Sequence, residues 1–215
     1  ISLVIGPTAA PLFRNYHNID KVIIFKKRKF NLHWLDIFKR TYKTKWDIIV
    51  DFRSSILSHI INNKKKYIFK KRKGLHHIAQ LNSSFGFSCS KLFVPTNLNE
   101  EDEVNKTLDA SFKHIIIFPG GNWSPKLWPV ENYNTVMKSL LKKYDNIKFI
   151  LVGSLKEKDK FYSHLVNGID KASIIDLFGF NLTLTSAFMK KSDFFIGNDS
   201  GLMHLAVANK LRVIS

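Results

Sequence analysis

Cysteine is nearly absent: Cys89 is the single thiol in 215 residues. One thiol can neither close a disulfide within the chain nor build a thiolate metal cluster, and it fits a reducing compartment. Acidic side chains are also scarce, 17 Asp and Glu against 34 Lys and Arg, for a formal net charge of +17. Long apolar runs are missing. The longest, such as "KFILVG" and "HIIIFPG", are the size of a strand and far too short to span a bilayer. No charged segment followed by an apolar core opens the chain, so a secretory signal is not expected; the first residue is Ile1, and the last five, "LRVIS", stop in mid-strand. Both ends suggest a piece of a longer chain. The remaining composition, 45% hydrophobic and 24% charged, is that of a folded protein with one large or two small domains.

The positive charge is uneven. Residues 21–73 carry 17 Lys and Arg against 3 Asp and Glu, residues 74–110 carry 2 against 5, and residues 111–215 carry 14 against 8. A basic N-terminal half can meet an anionic membrane surface, an acidic substrate or nucleic acid, or it can simply be a solvated face. The runs "FKKRKF", "NNKKKY" and "FKKRKG" lack the regular aromatic spacing of a nucleic-acid platform, so no nucleic-acid partner is expected.

Continuous apolar runs separated by helix-length segments predict parallel strands covered on both faces. In the first part these are "SLVIGP", "KVIIF" and "WDIIVDFRS", with helices over "HWLDIFKRTYKTK" and "SSILSHIINN". The acidic, Pro-containing stretch that follows suits a connector with a short helix. This gives an N-terminal unit over 1–95, a linker over 96–110 and a C-terminal unit over 111–215. In the last unit, strands "HIIIFPGG", "NIKFILVGS", "SIIDLFG", "DFFIGND" and "RVIS" alternate with helices, among them "VENYNTVMKSLLKKY" and "TLTSAFMKKS", the latter with Thr183 or Thr185 as its expected cap. The pattern is a doubly wound α/β sheet, whose ligands sit at the carboxyl ends of the strands.

Three glycine-containing turns fall at such ends. In "FFIGNDSGLMHLAVANK", Gly197 stands one residue too far from Ser200 for a hydrolase elbow, and no third group orients His204, which argues against a nucleophilic serine. An anion cradle fits better. Ser200, Gly201 and Leu202 would offer N–H groups at a helix start, with a hydroxyl from Ser200, a ring donor from His204, and Asp199 as a cap or an acceptor from a ligand hydroxyl. The plainer alternative is a strand-to-helix connection in which Asp199 caps and His204 packs. In "FPGGNWSPKLWPVENY", Gly120 and Gly121 turn the chain, and Asn122, Ser124 and Lys126 follow. This is no Walker loop, although Lys126 suits a phosphate as a point charge. In "LVGSLKEKDKFY", Glu157 follows Gly153 at a place where a carboxylate can accept from ribose hydroxyls or can simply start a helix.

Together and in this order, "FPGGNWSPKLWP", "LVGSLKEKDK" and "IIDLFGFNLTLTSAFMKKSDFFIGNDSGLMHLA" resemble glycosyltransferase family 9, the ADP-heptose:lipopolysaccharide heptosyltransferases. The resemblance is strong over 111–215 and weaker over 1–73. It implies the GT-B fold, two Rossmann-like domains with doubly wound parallel sheets facing a cleft, both incomplete here. It implies an inverting, metal-independent transfer of a heptose or related sugar from an ADP-sugar to a lipopolysaccharide core acceptor, at the cytoplasmic face of the bacterial inner membrane. No cofactor is expected beyond the donor itself.

On this resemblance Lys126 is similar to the lysine near the donor phosphates, and Glu157 to the acid on the donor ribose. Asp199, Ser200, Gly201 and His204 resemble the family's Asp-Ser/Thr-Gly-x-x-His motif. Gly120, Gly121, Asn122 and Ser124 border the same site, and the backbone of 177–179, ending at Gly179, is expected beside the adenine. Asp51 and Arg53, at a strand end in the N-terminal half, are candidate acceptor-side groups. The family's general base lies in a Gly-Asp loop after its first strand. That motif does not occur here, so no base is assigned. A different GT-B sugar-nucleotide enzyme, or less readily a basic nucleic-acid module, are the competing expectations.

Overall fold

The computed structural model describes residues 1–88, 92–121 and 123–215. Cys89 and Asn122 lie outside the described residues. The chain divides into two units, 1–92 and 93–215.

The first unit contains β1 (Ser2–Ile5), β2 (Lys21–Ile24), α1 (His33–Thr41), β3 (Trp46–Asp51), α2 (Leu57–Ile60), β4 (Asn63–Ile68) and α3 (His77–Phe85). β1 pairs in parallel with β2, and β3 in parallel with β4. Its small core joins Ile37, Leu57 and Ile61 with Phe25, Trp34, Phe38, Trp46 and Ile49. Helix α1 carries Asp36 in its first turn and Lys39 and Arg40 in its last, the polarity that a helix dipole favours. One expectation fails here, and one strand was not foreseen. The helix expected over "SSILSHIINN" is only the single turn α2, because Ile61 turns extended (ψ 135°) and leads directly into β4. The run "NNKKKY" is not merely a charged surface stretch but largely strand β4. Its lysines point outward from a ladder with β3, so charge masked the strand pattern.

The second unit begins with α4 (Leu98–Thr107), followed by β5 (Lys113–Phe118), α5 (Val130–Lys143), β6 (Ile147–Gly153) and α6 (Leu155–Leu165). β7 (Ile174–Phe178), α7 (Leu182–Lys191), β8 (Phe194–Gly197), α8 (Gly201–Ala208) and β9 (Arg212–Ile214) complete it. The segment expected as a linker thus contains α4, which packs on α7 within this unit. An Asn97–Glu100 capping box starts α4: Glu100 N–H donates to Asn97 Oδ1 and Asn97 N–H to Glu100 Oε2.

All five strands of the sheet in this unit run parallel in the order β7-β6-β5-β8-β9. Alternate residues serve opposite faces. Ile115, Ile117, Phe149 and Leu151 pack with Tyr133 and Met137 of α5 and with Phe161 and Leu165 of α6. Ile116, Ile150 and Phe195 are fully buried on the other face, as are Phe188 and Met189 of α7 and Ala206 of α8. Helix α7 is capped by Asn181, whose Oδ1 accepts from Leu184 N–H, and not by a threonine. The helix starts earlier than expected, so Thr183 and Thr185 are buried and donate back to Asn181 Oδ1 and O.

At the amino end of this sheet, Asp193 accepts from His114 N–H (3.0 Å) and Lys113 Nζ (3.0 Å). The buried His114 ring leaves Nε2 without a hydrogen-bond partner among the described residues. Burial pushes the imidazole below its ordinary value, partly opposed by Asp193, with Lys148 adding to the depression and Asp109 opposing it. A folded-state pKa below the unfolded one means that the unfolded chain takes up the proton first as pH falls. Stability contributed by neutral His114 is therefore complete above about 6.5 and is lost as pH drops from there toward the folded value. The urea midpoint is expected to fall between pH 7.5 and 5.5, and His114→Gln to flatten that slope. An unchanged slope in the variant would contradict this assignment.

Candidate functional site

The strand order reverses at β5. From it the chain proceeds outward through β6 and β7, then crosses over to β8 and β9 on the other side. The carboxyl ends of β5 and β8 therefore border the topological switch point, where open α/β sheets bind ligands. The turn Pro119-Gly120-Gly121 leaves β5 at this point, and Asn198-Asp199-Ser200 leaves β8.

Helix α8 starts at Gly201, with Ser200 as its cap: Met203 N–H donates to Ser200 Oγ at 3.3 Å. Capping falls to Ser200 and leaves Asp199 free for another role. The N–H groups of Gly201 and Leu202 have no intrahelical acceptor and stand at the positive end of the helix dipole. Space beside Gly201 is open, with no atom within 4 Å of where a Cβ would stand. Asp199 Oδ2 accepts from Lys126 Nζ at 3.0 Å, and both side chains are about half exposed. His204 Nε2 lies 3.9 Å from Asp199 Oδ1, on a ring that is largely exposed. Lys126 ends a short 3-10 turn, Ser124–Lys126, and its ammonium also stands over the Trp123 ring at 5.4 Å.

Glu157 joins the β6 turn to the β5 turn. Its Oε2 accepts from Ser154 N–H (2.7 Å) and Ser154 Oγ (2.8 Å), completing a capping box at the start of α6. Its Oε1 lies against Gly120, where an added Cβ would stand 1.9 Å away. The helix-start reading of Glu157 is thus present, and the same carboxylate also reaches the Pro-Gly-Gly turn. The Gly153 carbonyl ties in the next turn, since Gly179 N–H donates to Gly153 O at 2.8 Å. Gly179 holds a left-handed φ of +84°, which favours glycine, and an added Cβ would also have to displace the Leu155 side chain, 2.6 Å away. Gly121 faces Leu127, and Ser124 is exposed at the first position of the 3-10 turn.

Asn198 has no role in the sequence reading, yet it is the most heavily bonded side chain of the site. It is 5% exposed. Its Nδ2 donates to Pro119 O (2.8 Å) and Gly120 O (3.1 Å). Its Oδ1 accepts from Trp128 N–H (2.9 Å) and Tyr133 Oη (3.1 Å). Burial pushes the Tyr133 phenol up to about 12, so it remains a protonated donor. A polar Asn directly after an apolar strand and directly before the acidic motif was the available signal.

In the first unit, Asp51 ends β3 and binds its own turn. It accepts from Arg53 N–H (2.8 Å), Ser55 N–H (2.6 Å) and Ser55 Oγ (2.8 Å). Burial alone would raise its pKa, but these hydrogen bonds outweigh it and hold the carboxyl below the ordinary aspartate value. The Arg53 side chain is exposed.

A hollow of about 180 Å³ between α4 and the end of α7, lined by Thr96, Glu101, Lys190 and Lys191 among others, lies away from these turns, toward the amino end of β8. No helix among the described residues is long and apolar enough to cross a membrane.

Comparisons with known proteins agree with this architecture. Lipopolysaccharide heptosyltransferase 1 of Campylobacter coli is 24% identical over 235 residues, spanning 92% of this chain and 68% of that protein. The crystal structure of a family 9 glycosyl transferase from Veillonella parvula superposes with a TM-score of 0.78 at 20% identity, covering 99% of this chain and 70% of that one. The E. coli ADP-heptose lps heptosyltransferase II superposes at 0.70 and 17% identity, covering 99% and 74%. These likenesses establish the GT-B type of α/β fold. The model of glycosyltransferase family 9 (heptosyltransferase) matches residues 79–215, well over half of the chain, and the chain belongs to that family.

Proposed function

We propose that this glycosyltransferase moves a heptose, or a closely related sugar, from an ADP-sugar to a lipopolysaccharide core acceptor, with inversion and without a metal ion. The family supports the sugar transfer, and the names of the Campylobacter coli and E. coli relatives support the acceptor and donor classes. The observation that carries the reading is the Lys126–Asp199 pair at the start of α8. Departure of a nucleoside diphosphate develops negative charge, and an ammonium near the helix N-terminus provides a field that stabilises it. Asp199 holds Lys126 until phosphate oxygens compete for it, and His204 adds a ring donor on the exposed side. Ser200 contributes its hydroxyl, while Gly201 leaves room for a phosphate to approach the helix start.

Glu157 Oε1, facing the Gly120 turn, is the acceptor for a ribose hydroxyl, and the backbone around Gly179 borders the adenine. Gly121 and Ser124 line the phosphate approach. On the acceptor side, Arg53 is an exposed cation for a phosphorylated core sugar, and Asp51 shapes the turn that presents it. The basic first unit suits contact with an anionic membrane surface, which supports a working position at the cytoplasmic face of the inner membrane. No residue is assigned as the general base.

Calorimetry on the full-length protein tests this. ADP-sugar should bind, and Lys126→Ala should raise the donor Kd about tenfold or more, the scale of one lost charge-assisted hydrogen bond. A folded full-length protein that binds no ADP-sugar would refute the reading. Preference for a UDP-sugar in the same titration would move the protein to another sugar-nucleotide chemistry on this fold.

A further inference from the structure

We propose that Asn198 is a positioning residue that sets the two ends of the β5–α5 connection, residues 119–120 and 128, against the start of α8, and that donor affinity depends on this clamp. The inference rests on the donor site proposed above and goes beyond it, because Asn198 is buried and donates nothing to the ligand itself.

The hydrogen-bond inventory leaves no freedom. Pro119 O and Gly120 O can only accept, so the amide nitrogen must face them, while Trp128 N–H can only donate, so the amide oxygen must face it. With Tyr133 Oη as the second donor, both protons and both lone pairs of the amide are used. The bonds to 119 and 120 fix the beginning of the loop, and the bond from 128 fixes its end. The residue next in sequence, Asp199, holds Lys126 near that end. One short turn after β8 therefore grips the β5–α5 loop at both ends. A fully satisfied buried network of this kind favours a single arrangement over a family of them. The position of Lys126 relative to the α8 N–H groups, and of Gly120 relative to Glu157, then follows from Asn198.

Two substitutions separate positioning from general support. Asn198→Asp keeps an oxygen for Trp128 N–H and Tyr133 Oη but replaces the donor facing Pro119 O and Gly120 O with a second acceptor. It releases the loop start selectively. Tyr133→Phe deletes one bond to the same amide and leaves the loop bonds intact. In the ligand-free full-length protein, amide exchange of residues 120–128 is expected to rise in Asn198→Asp and to stay near wild type in Tyr133→Phe. The Kd for ADP, used as the probe, should rise about tenfold or more in Asn198→Asp and change less than about twofold in Tyr133→Phe, although both lose thermal stability. KM for the donor should rise more than kcat falls. If Asn198→Asp does not fold, Asn198→Ser, which keeps one hydroxyl donor for one carbonyl, should show an intermediate shift in both readouts.

Unchanged loop exchange, or equal ADP weakening in the Asn198 and Tyr133 variants at matched stability, would overturn the proposal. Failure of the wild-type protein to bind ADP would instead overturn the donor reading, and with it the affinity consequence drawn here.

Discussion

Gly120→Ala is expected to reduce kcat/KM at least about 100-fold, the scale on which a displacement of about 1 Å in a positioned group is felt. The β-carbon would enter 1.9 Å from Glu157 Oε1, 2.5 Å from Glu157 Cδ and 2.8 Å from the Phe118 ring. Glu157 cannot simply swing aside, because its other oxygen is held by Ser154 N–H and Oγ. Either the carboxylate leaves the α6 capping box or the Pro-Gly-Gly turn moves away from β6. The first route forfeits a cap, about 1 kcal/mol. The second adds overpacking strain of about 1–3 kcal/mol. The first displaces the carboxylate from the place assigned to the ribose hydroxyls, and the second displaces the turn that faces it. Steady-state kinetics beside thermal unfolding separates the two losses. Near-normal kcat/KM with Ala at this position would show that the contact is incidental.

Phe149→Ala is expected to cost about 3–5 kcal/mol, the range for deleting a fully buried aromatic side chain. A domain of this size is stable by about 5–15 kcal/mol, so much of that margin goes. Phe149 lies on β6, between β5 and β7, with 0% exposure, inside the cluster formed with Tyr133, Met137, Phe161 and Leu165. Helices α5 and α6 both rest on this cluster, so no single element can collapse into the vacancy. Leu98→Ala, at the exposed first position of α4, should change stability by no more than about 0.5 kcal/mol. Urea unfolding of both variants provides the comparison, and equal shifts would contradict this account of the core.

The second unit was the more legible in sequence because its signals are local. Continuous apolar runs marked β5, β6 and β8, and the stripe through Tyr133 and Met137 marked the buried face of α5. Glycines at strand ends marked the turns. Less legible was anything that depends on partners distant in sequence. Asn198 looks like an ordinary turn residue until it meets carbonyls 78 and 79 positions earlier in the chain. Strand β4 was hidden because three consecutive lysines break the apolar run, although their backbone pairs regularly with β3. The cap of α7 was misplaced by two residues because Asn and Thr are both good caps, and burial of Thr183 decides between them. Glu157 was read as either a helix starter or a ligand acceptor. Its two oxygens point in different directions, so one residue accommodates both descriptions.

The β5–β8 pairing also bears on how the site comes into being. Contacts between residues so far apart in the chain carry a larger loop-closure cost than those between strands adjacent in sequence. The segment between them contains β6, β7 and three helices, all held by nearer contacts. A nascent chain lacking residues beyond α7 has the Pro-Gly-Gly turn and Lys126 but no second wall for them. The proposed donor site thus needs β8 beside β5, and it is complete only when the second unit's sheet is fully assembled.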